Sequence, residues 1–275
     1  MAAVALIEGT ILTAISGKNL ASMIKKYADR FAQPSDVRSY ETEEYGRDSY
    51  SSFIWELQKP VLHRLVVQQQ RRMGRGARLL DFACGTGRVL SFLEETVAES
   101  EGVDISSAMA EVAKSRCKKS AISVGDICED HQLAAKKYDI ITSFRFLLNV
   151  EPDVREMALR QLRSRLETGT GILLVNMHGS SRSLRHPAIL FRRRQKLAKK
   201  AHEDLMLAEM HPDEVNALFR SCGFEIVSLH GFGLLPQFLY RTPLVSLAIW
   251  IDRIASRWKS TRYFSIDLLY ELRGS

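Results

Sequence analysis

The chain has 275 residues, 45% of them hydrophobic, and a formal net charge of +7 at pH 7. That length allows one large domain or a domain with appendages. No stretch reaches the roughly 18 apolar residues that a membrane-spanning helix needs. The four cysteines show neither a C-x-x-C pair nor zinc-ligand spacing, so we expect reduced intracellular thiols. Residues 1–12 lack a basic leader, so we expect a cytoplasmic protein, either soluble or peripheral at a membrane.

The first 75 residues are predicted to form an N-terminal helical cap. Apolar residues follow helical spacing in residues 1–30 and again in residues 52–70. Pro60 lies inside the second stretch and predicts a kink or a break there. Residues 74–76 are the expected linker to a second domain, which would run from residue 76 to residue 275.

The most informative stretch is Leu-Leu-Asp-Phe-Ala-Cys-Gly-Thr-Gly-Arg-Val-Leu, residues 79–90. It predicts a strand, a tight loop and the start of a helix. Gly85 and Gly87 can adopt backbone angles that are closed to other residues, and they allow a ligand to approach the main chain. The loop amides and the following helix favour an anionic group. Asp81 adds a negative charge, so the site suits a zwitterion.

Two further predicted strands end in acidic residues. Asp104 ends a strand about 20 residues after the glycine loop, where a carboxylate can bind ribose hydroxyls. Asp126 repeats this arrangement, and residues 138–144 predict a fourth strand. The alternation of strands and helices predicts a parallel sheet with helices on both faces. Taken singly, each of the three aspartates could instead cap a helix.

The glycine loop and the three strand ends together resemble class I S-adenosylmethionine-dependent methyltransferases. Their first motif is usually (D/E)-x-G-x-G-x-G, and this chain has Ala83 at the first glycine. The dinucleotide pattern G-x-G-x-x-G fits less well, because Leu90 occupies its third glycine position. The resemblance covers about residues 76–230. It implies S-adenosylmethionine as cofactor, S-adenosylhomocysteine as product, and no metal.

The resemblance also implies a Rossmann-like, mostly parallel seven-stranded sheet with the helical cap and a helical insertion. The adenine would lie at Asp126 with Ile127 on the ring, and the fourth strand would lie under the sulfonium. The cofactor residues are predicted to be Asp81, Ala83, Cys84, Gly85, Gly87, Asp104, Ile105, Met109, Asp126, Ile127, Ser143 and Phe144.

The second half of the chain completes the predicted sheet around two insertions. Residues 172–176 predict a fifth strand, followed by a basic insertion at about residues 180–210. A helix over residues 212–220 and a strand over residues 223–229 come next. A second insertion at about residues 232–263 would precede residues 264–272, which we expect to form an antiparallel edge strand.

The acceptor would lie beyond the carboxyl ends of strands four and five. His178 follows strand five and is the first candidate for a general base, since its reference pKa is near neutrality. His178 could instead have a structural role alone, in ordering the loop after strand five. Arg145 and Asn149 follow strand four and could fix an acidic or hydroxyl group of the acceptor. Arg145 could equally pair with Glu151 or Asp153.

Three functions remain open from sequence. The first is methyl transfer to an oxygen or nitrogen of a small molecule, such as a natural product, a sugar or a lipid-linked intermediate. The second is an RNA methyltransferase that uses the basic run 192–200, although no RNA-binding module is evident and nucleic acid is not the expected partner. The third is a membrane-surface scaffold, since residues 182–200 and 234–259 mix apolar and basic groups. Peripheral membrane contact is compatible with catalysis, and a homodimer stays open.

Overall fold

The computed structural model describes residues 34–46, 49–126, 136–187, 209–236, 239–240, 245–255, 258 and 261–274. Three predictions fall outside the described residues: the helix over residues 1–30, Ile127 at the adenine ring and the basic run 192–200.

A seven-stranded sheet forms the centre of the described structure. Its strands are β1 (Arg78–Phe82), β2 (Glu99–Asp104), β3 (Ala121–Val124), β4 (Ile140–Phe144), β5 (Ile172–Met177), β6 (Phe224–Phe232) and β7 (Asp267–Gly274). The helices are α1 (Pro34–Tyr45), α2 (Tyr50–Met73), α3 (Arg88–Leu93), α4 (Ser107–Arg116), α5 (Pro152–Arg165), α6 (Pro212–Ser221) and α7 (Val245–Ala255).

The strand order is β3-β2-β1-β4-β5-β7-β6, and β7 alone runs antiparallel to its neighbours. This confirms the Rossmann-like, mostly parallel sheet. The chain moves outward from β1 to β3 and then returns to place β4 on the other side of β1. Ligands of open α/β sheets bind beyond the carboxyl ends of the strands at such a reversal.

Alternating side chains along each strand supply two hydrophobic cores, one on each face of the sheet. Leu79 packs with α2 and α3, whereas the next residue, Leu80, packs with α5 and α6. β5 alternates in the same way, with Leu174 in the first core and Leu173 in the second. This two-residue period confirms helices on both faces of the sheet.

Two local predictions need correction. Of the kink or break predicted at Pro60, the break does not occur, because α2 continues through it with buried side chains on both sides, including Leu57 and Leu62. Their packing in the first core offsets the roughly 3 kcal/mol that an internal proline costs a helix. The last strand is also not at the edge, because β7 lies between β5 and β6. Its first six side chains are buried, as a strand paired on both sides requires.

Candidate active site

An open cavity, of about 710 Å³ with the solvent at its mouth included, lies at the reversal between β1 and β4. The glycine loop after β1, the turn after β2 and the segment after β4 supply most of its wall, and α1 supplies the rest. The lining residues are Tyr40, Tyr45, Asp81, Ala83, Cys84, Gly85, Thr86, Arg88, Val89, Asp104, Ile105, Ser106, Met109, Phe144, Arg145 and Asn149.

The two glycines of the loop serve different purposes. Gly85 has φ +55°, and a Cβ there would meet nothing within 4 Å, which leaves the main chain open to a ligand. Gly87 has φ +74°, and a Cβ there would lie 2.9 Å from Sγ of Cys117 and 3.1 Å from Cα of Ala113. Gly87 therefore allows the loop to pack closely against α4, and it is the N-cap residue of α3.

Ala83 occupies the first glycine position of the motif in a left-handed conformation, with φ +53°. That conformation costs an alanine roughly 1–2 kcal/mol, partly offset by the larger unfolded-state entropy of glycine. We therefore expect Ala83→Gly to raise the free energy of unfolding by about 0.5–1 kcal/mol in urea denaturation. Ala108→Gly, in the first turn of α4, should lower it by a similar amount. A loss of stability in both variants would show that Ala83 is not strained.

Asp81 presents an unsatisfied carboxylate oxygen in the cavity wall. Its Oδ1 accepts a 2.6 Å hydrogen bond from Oγ1 of Thr142, whereas Oδ2 is buried without a partner. Burial raises the pKa of Asp81 to about 7. A buried oxygen left in this way is suited to accept from an ammonium group. Together with the open main chain at Gly85, this arrangement fits the amino acid part of S-adenosylmethionine.

Asp104 connects the end of β2 to the glycine loop. Its Oδ2 accepts a 2.7 Å hydrogen bond from the Gly85 amide, and its Oδ1 accepts one of 2.9 Å from the Ser106 amide. Burial raises the pKa of this carboxyl, and the two amide donors lower it. The helix-cap alternative fails for Asp81 and Asp104, since Gly87 caps α3 and Ser106 caps α4.

The remaining predicted cofactor residues divide into two sets. Cys84, Ile105, Met109 and Phe144 line the cavity with Asp81, Ala83, Gly85 and Asp104, whereas Gly87 does not line it. Asp126 is half-buried after β3 and does not line it, and Ser143 is buried in β4 with its Oγ unpartnered. Burial raises the pKa of the Cys84 thiol, so this cysteine is not a reactive thiolate.

The cap helix α1 is bound to the glycine loop by a polar cluster. Arg116 of α4 donates to Glu41 at 2.5 Å and to the hydroxyl of Thr86 at 2.9 Å, and Thr86 also donates to Glu41. Next to this cluster the guanidinium of Arg88 lies 3.4 Å from the ring centre of Tyr45. Tyr45 lies within the predicted helical cap, whereas sequence reasoning missed Arg88, whose position after the motif carried no signal.

Arg145 occupies the boundary between this cavity and the ends of β4 and β5. Its φ is +57°, and the Asn149 side chain donates to its carbonyl. Its Nη1 donates to Oη of Tyr45 at 2.6 Å and to Oγ of Ser51 at 3.3 Å. A bulky residue in this conformation is rare and is concentrated at functional sites. The structure therefore brings Arg145 and Asn149 together in the cavity wall, and their role toward the acceptor stays a prediction.

Asp267 is a buried carboxylate that sequence reasoning missed, and it does not itself line the cavity. β7 is antiparallel, so its first residue lies at the carboxyl edge of the parallel strands. Oδ1 of Asp267 accepts from Nε2 of Gln58 at 2.7 Å and also from the Asn176 amide. Burial raises the pKa of Asp267 to about 6, while the positive charges of Arg145 and Arg88 act to lower it. The only signal in the sequence was an acidic residue at the start of an apolar strand.

His178 lies beyond the end of β5 and is half-buried, with Nδ1 shielded from solvent and unpartnered. Burial, together with the charge of Arg145, lowers its pKa to about 3, so the imidazole is neutral at pH 7. It does not line the cavity. Its role as general base stays a prediction, and a base with such a low pKa would drive proton transfer weakly.

Comparison with known proteins decides the family. A family model described as a methyltransferase domain matches residues 54–229, more than half of the chain. The chain belongs to the class I S-adenosylmethionine-dependent methyltransferases. S-adenosylmethionine is accordingly the cofactor of this site. Among the described residues, no cluster of three or more His, Cys, Asp or Glu side chains could hold a metal ion.

The individual curated relatives share limited sequence identity with this chain, over part of its length. The chain is 31% identical over 97 residues to a ubiquinone biosynthesis O-methyltransferase of Coxiella burnetii, covering 34% of this chain and 41% of that one. It is 27% identical over 161 residues to a dTDP-4-amino-2,3,4,6-tetradeoxy-D-glucose N,N-dimethyltransferase of Saccharopolyspora spinosa, covering 54% and 60%. The chain thus aligns with about half the length of these curated relatives.

A solved structure supports the fold. Magnesium protoporphyrin IX methyltransferase from Synechocystis PCC 6803, crystallised with S-adenosylhomocysteine, matches with a TM-score of 0.60 and 13% identity. The match covers 91% of this chain and 99% of that one. In the described part of this chain, no helix is long and apolar enough to cross a membrane.

Proposed function

We propose that this methyltransferase transfers the methyl group to an oxygen, or a nitrogen, of a small-molecule acceptor. The acceptor would bind beyond the ends of β4 and β5, next to the start of β7. A natural product, a sugar or a lipid-linked intermediate is the expected class. The curated relatives, one named for O-methylation and one for N,N-dimethylation of an amino sugar, support a small acceptor and leave the acceptor atom open.

The observation that carries this proposal is the carboxylate of Asp267. Both amide donors bind its Oδ1, and no hydrogen bond from the described residues reaches Oδ2. This arrangement orients the carboxyl group and leaves one oxygen for a proton. With a pKa of about 6, the group is ionised at pH 7 and still basic enough to accept a proton from a hydroxyl or ammonium group.

The proposed roles follow from this placement. The cofactor supplies an electrophilic methyl group on its sulfonium sulfur. The proton that the acceptor oxygen or nitrogen loses on methylation would pass to Oδ2 of Asp267. Arg145 fixes an acidic or hydroxyl group of the acceptor, and Asn149 holds the Arg145 backbone while its own Oδ1 is left for the acceptor. Orientation of this kind can supply several kcal/mol of the barrier reduction.

Buried hydroxyl groups without hydrogen-bond partners, in β4 and in the loop after β5, support a polar acceptor. The hydroxyls of Ser143, Ser180 and Ser183 are buried and have no hydrogen-bond partner. Buried polar groups are rarely left unsatisfied, and each costs about 1–3 kcal/mol if it stays so. We propose that acceptor groups satisfy part of this set, together with Nδ1 of His178.

The test is transfer of labelled methyl from S-adenosylmethionine to a panel of acceptors. The panel contains phenols, amino sugars, polyprenyl-linked phenols and, as the competing class, total RNA. Label in a small molecule and none in RNA supports the proposal. Label in RNA alone would overturn the acceptor class, and a failure to bind S-adenosylmethionine would overturn the activity itself.

A further inference from the structure

The described structure exposes seven large apolar side chains, and five of them belong to one region. These five are Leu184, Leu247, Trp250, Trp258 and Phe264, and we call them the aromatic surface. Trp258 is 64% exposed, while Trp250 and Leu184 are each 59% exposed. A concentration of exposed tryptophan and leucine is unusual for surface that faces only water, and it marks an interaction site.

Hydrogen bonds join the parts of the aromatic surface. Trp258 follows α7 directly, with its amide donating to the Ala255 carbonyl at 3.1 Å. The Leu184 amide donates to the Phe264 carbonyl at 3.1 Å, which brings the loop after β5 to the end of the same segment. The guanidinium of Arg182 lies 5.3 Å from the ring centre of Phe264. The surface is therefore built from two chain segments that meet.

The opposite face of α7 is fixed to the sheet domain. Asp252 is buried and accepts hydrogen bonds from the amides of Gly233 and Leu234, each at 2.9 Å, and from the Tyr240 hydroxyl. Ala248 is buried on the same side. Leu247 and Trp250 thus project from a helix that is held in place. Their exposure is a property of the fold at this position.

The charge of these two segments identifies the partner. In the described parts of residues 178–200 and 234–266 there are four basic residues, Arg182, Arg185, Arg253 and Arg262, and one acidic residue, Asp252, which is the buried anchor of α7. Over both ranges in full, the sequence has thirteen Lys and Arg residues and the same single acidic residue. Since the whole chain carries a net charge of +7, the remainder is net negative. Basic residues mixed with tryptophan and leucine are typical of helices that lie in the interface of an anionic bilayer.

We propose that the aromatic surface binds the surface of an anionic phospholipid membrane. Trp250, Trp258 and Leu247 would enter the headgroup boundary, and the exposed side chains of Arg182 and Arg253 would contact lipid phosphates. The opposite, buried face of α7 borders the proposed acceptor side, because Tyr240, bound to Asp252, packs edge-on against Tyr50 with ring centres 5.5 Å apart. If the proposed function holds, a lipid-linked acceptor could reach the site from the bilayer.

The test is vesicle flotation of the full chain without cofactor or acceptor, so its outcome is independent of the proposed activity. Vesicles of phosphatidylcholine are compared with vesicles that also contain phosphatidylglycerol. We expect binding only to the anionic vesicles, weakening as salt is raised. The double variant Leu247→Ser, Trp250→Ser should bind at least about tenfold more weakly. Val124→Ser removes an apolar side chain of similar exposure (47%, against 50% for Leu247) from β3 and should bind like the wild type.

A spectroscopic readout locates the contact and checks folding. Brominated lipid should quench Trp250 and Trp258, whereas the third tryptophan, Trp55, is buried and should stay unquenched. Equal urea midpoints show that the variants are folded. Absence of wild-type binding, or equal binding by the double variant, would overturn the proposal. The proposal would also be overturned if the wild type bound no vesicles but formed a dimer, and the double variant were a monomer. The aromatic surface would then be an interface with a second copy of the chain.

Discussion

Asp267→Asn is expected to lower kcat for methyl transfer by about 10²–10⁴, the range for loss of a general base. The amide is nearly isosteric, and its oxygen can still accept from Gln58 and Asn176, so the fold and cofactor affinity should be preserved. In the wild type, kcat/KM should rise with pH through about 6 and then level, because only the ionised carboxylate accepts a proton. The variant should lose that inflection. The measurement is a pH profile with an acceptor found in the screen.

Glu271→Gln provides a matched control for Asp267→Asn. Glu271 is another buried carboxylate of β7, but it lies further along the strand than Asp267 and binds Arg72 and Ser228. Its replacement should leave kcat within about threefold, as for a group outside the reaction. An unchanged pH inflection in Asp267→Asn would contradict the assignment and make His178 the next candidate, to be tested with His178→Asn.

The second large effect is expected in cofactor binding. Asp104→Asn replaces a carboxylate that accepts from the amides of Gly85 and Ser106 with a group that has one acceptor oxygen. One of the two charge-assisted bonds must be lost, and each is worth about 1.5–3 kcal/mol. Because the Gly85 bond holds the loop that would approach the cofactor, we expect the Kd for S-adenosylhomocysteine to rise about 100-fold. Titration calorimetry gives this directly.

Glu101→Gln is the control for Asp104→Asn. Glu101 lies on β2, three residues earlier, and binds Lys136 and Tyr138 outside the cavity. It should leave the Kd within about threefold, and circular dichroism should show both variants folded. If Asp104→Asn also binds S-adenosylhomocysteine within about threefold of the wild type, Asp104 has a structural role alone.

The cofactor half of the molecule was largely predictable from sequence because its elements are local. A strand, a glycine turn and a helix start lie within twelve residues, and parallel pairing then brings the ends of β1 and β2 to one edge. Asp81 and Asp104 therefore fall in the cavity wall from their positions in the chain alone. Cys84, Ile105, Met109 and Phe144 follow for the same reason.

The acceptor side was decided by the tertiary structure. Gln58 and Asp267 are 209 positions apart, and Asn176 and Asp267 are 91 apart, so no local pattern could bring them together. Their meeting depends on β7 inserting between β5 and β6 and on α2 continuing through Pro60. In both cases, the burial of side chains against segments that are distant in sequence outweighs the local preferences of the backbone. The sequence by itself determined the family, the glycine loop and its acidic partners. Packing between distant segments decided the position of Asp267, the proposed proton acceptor.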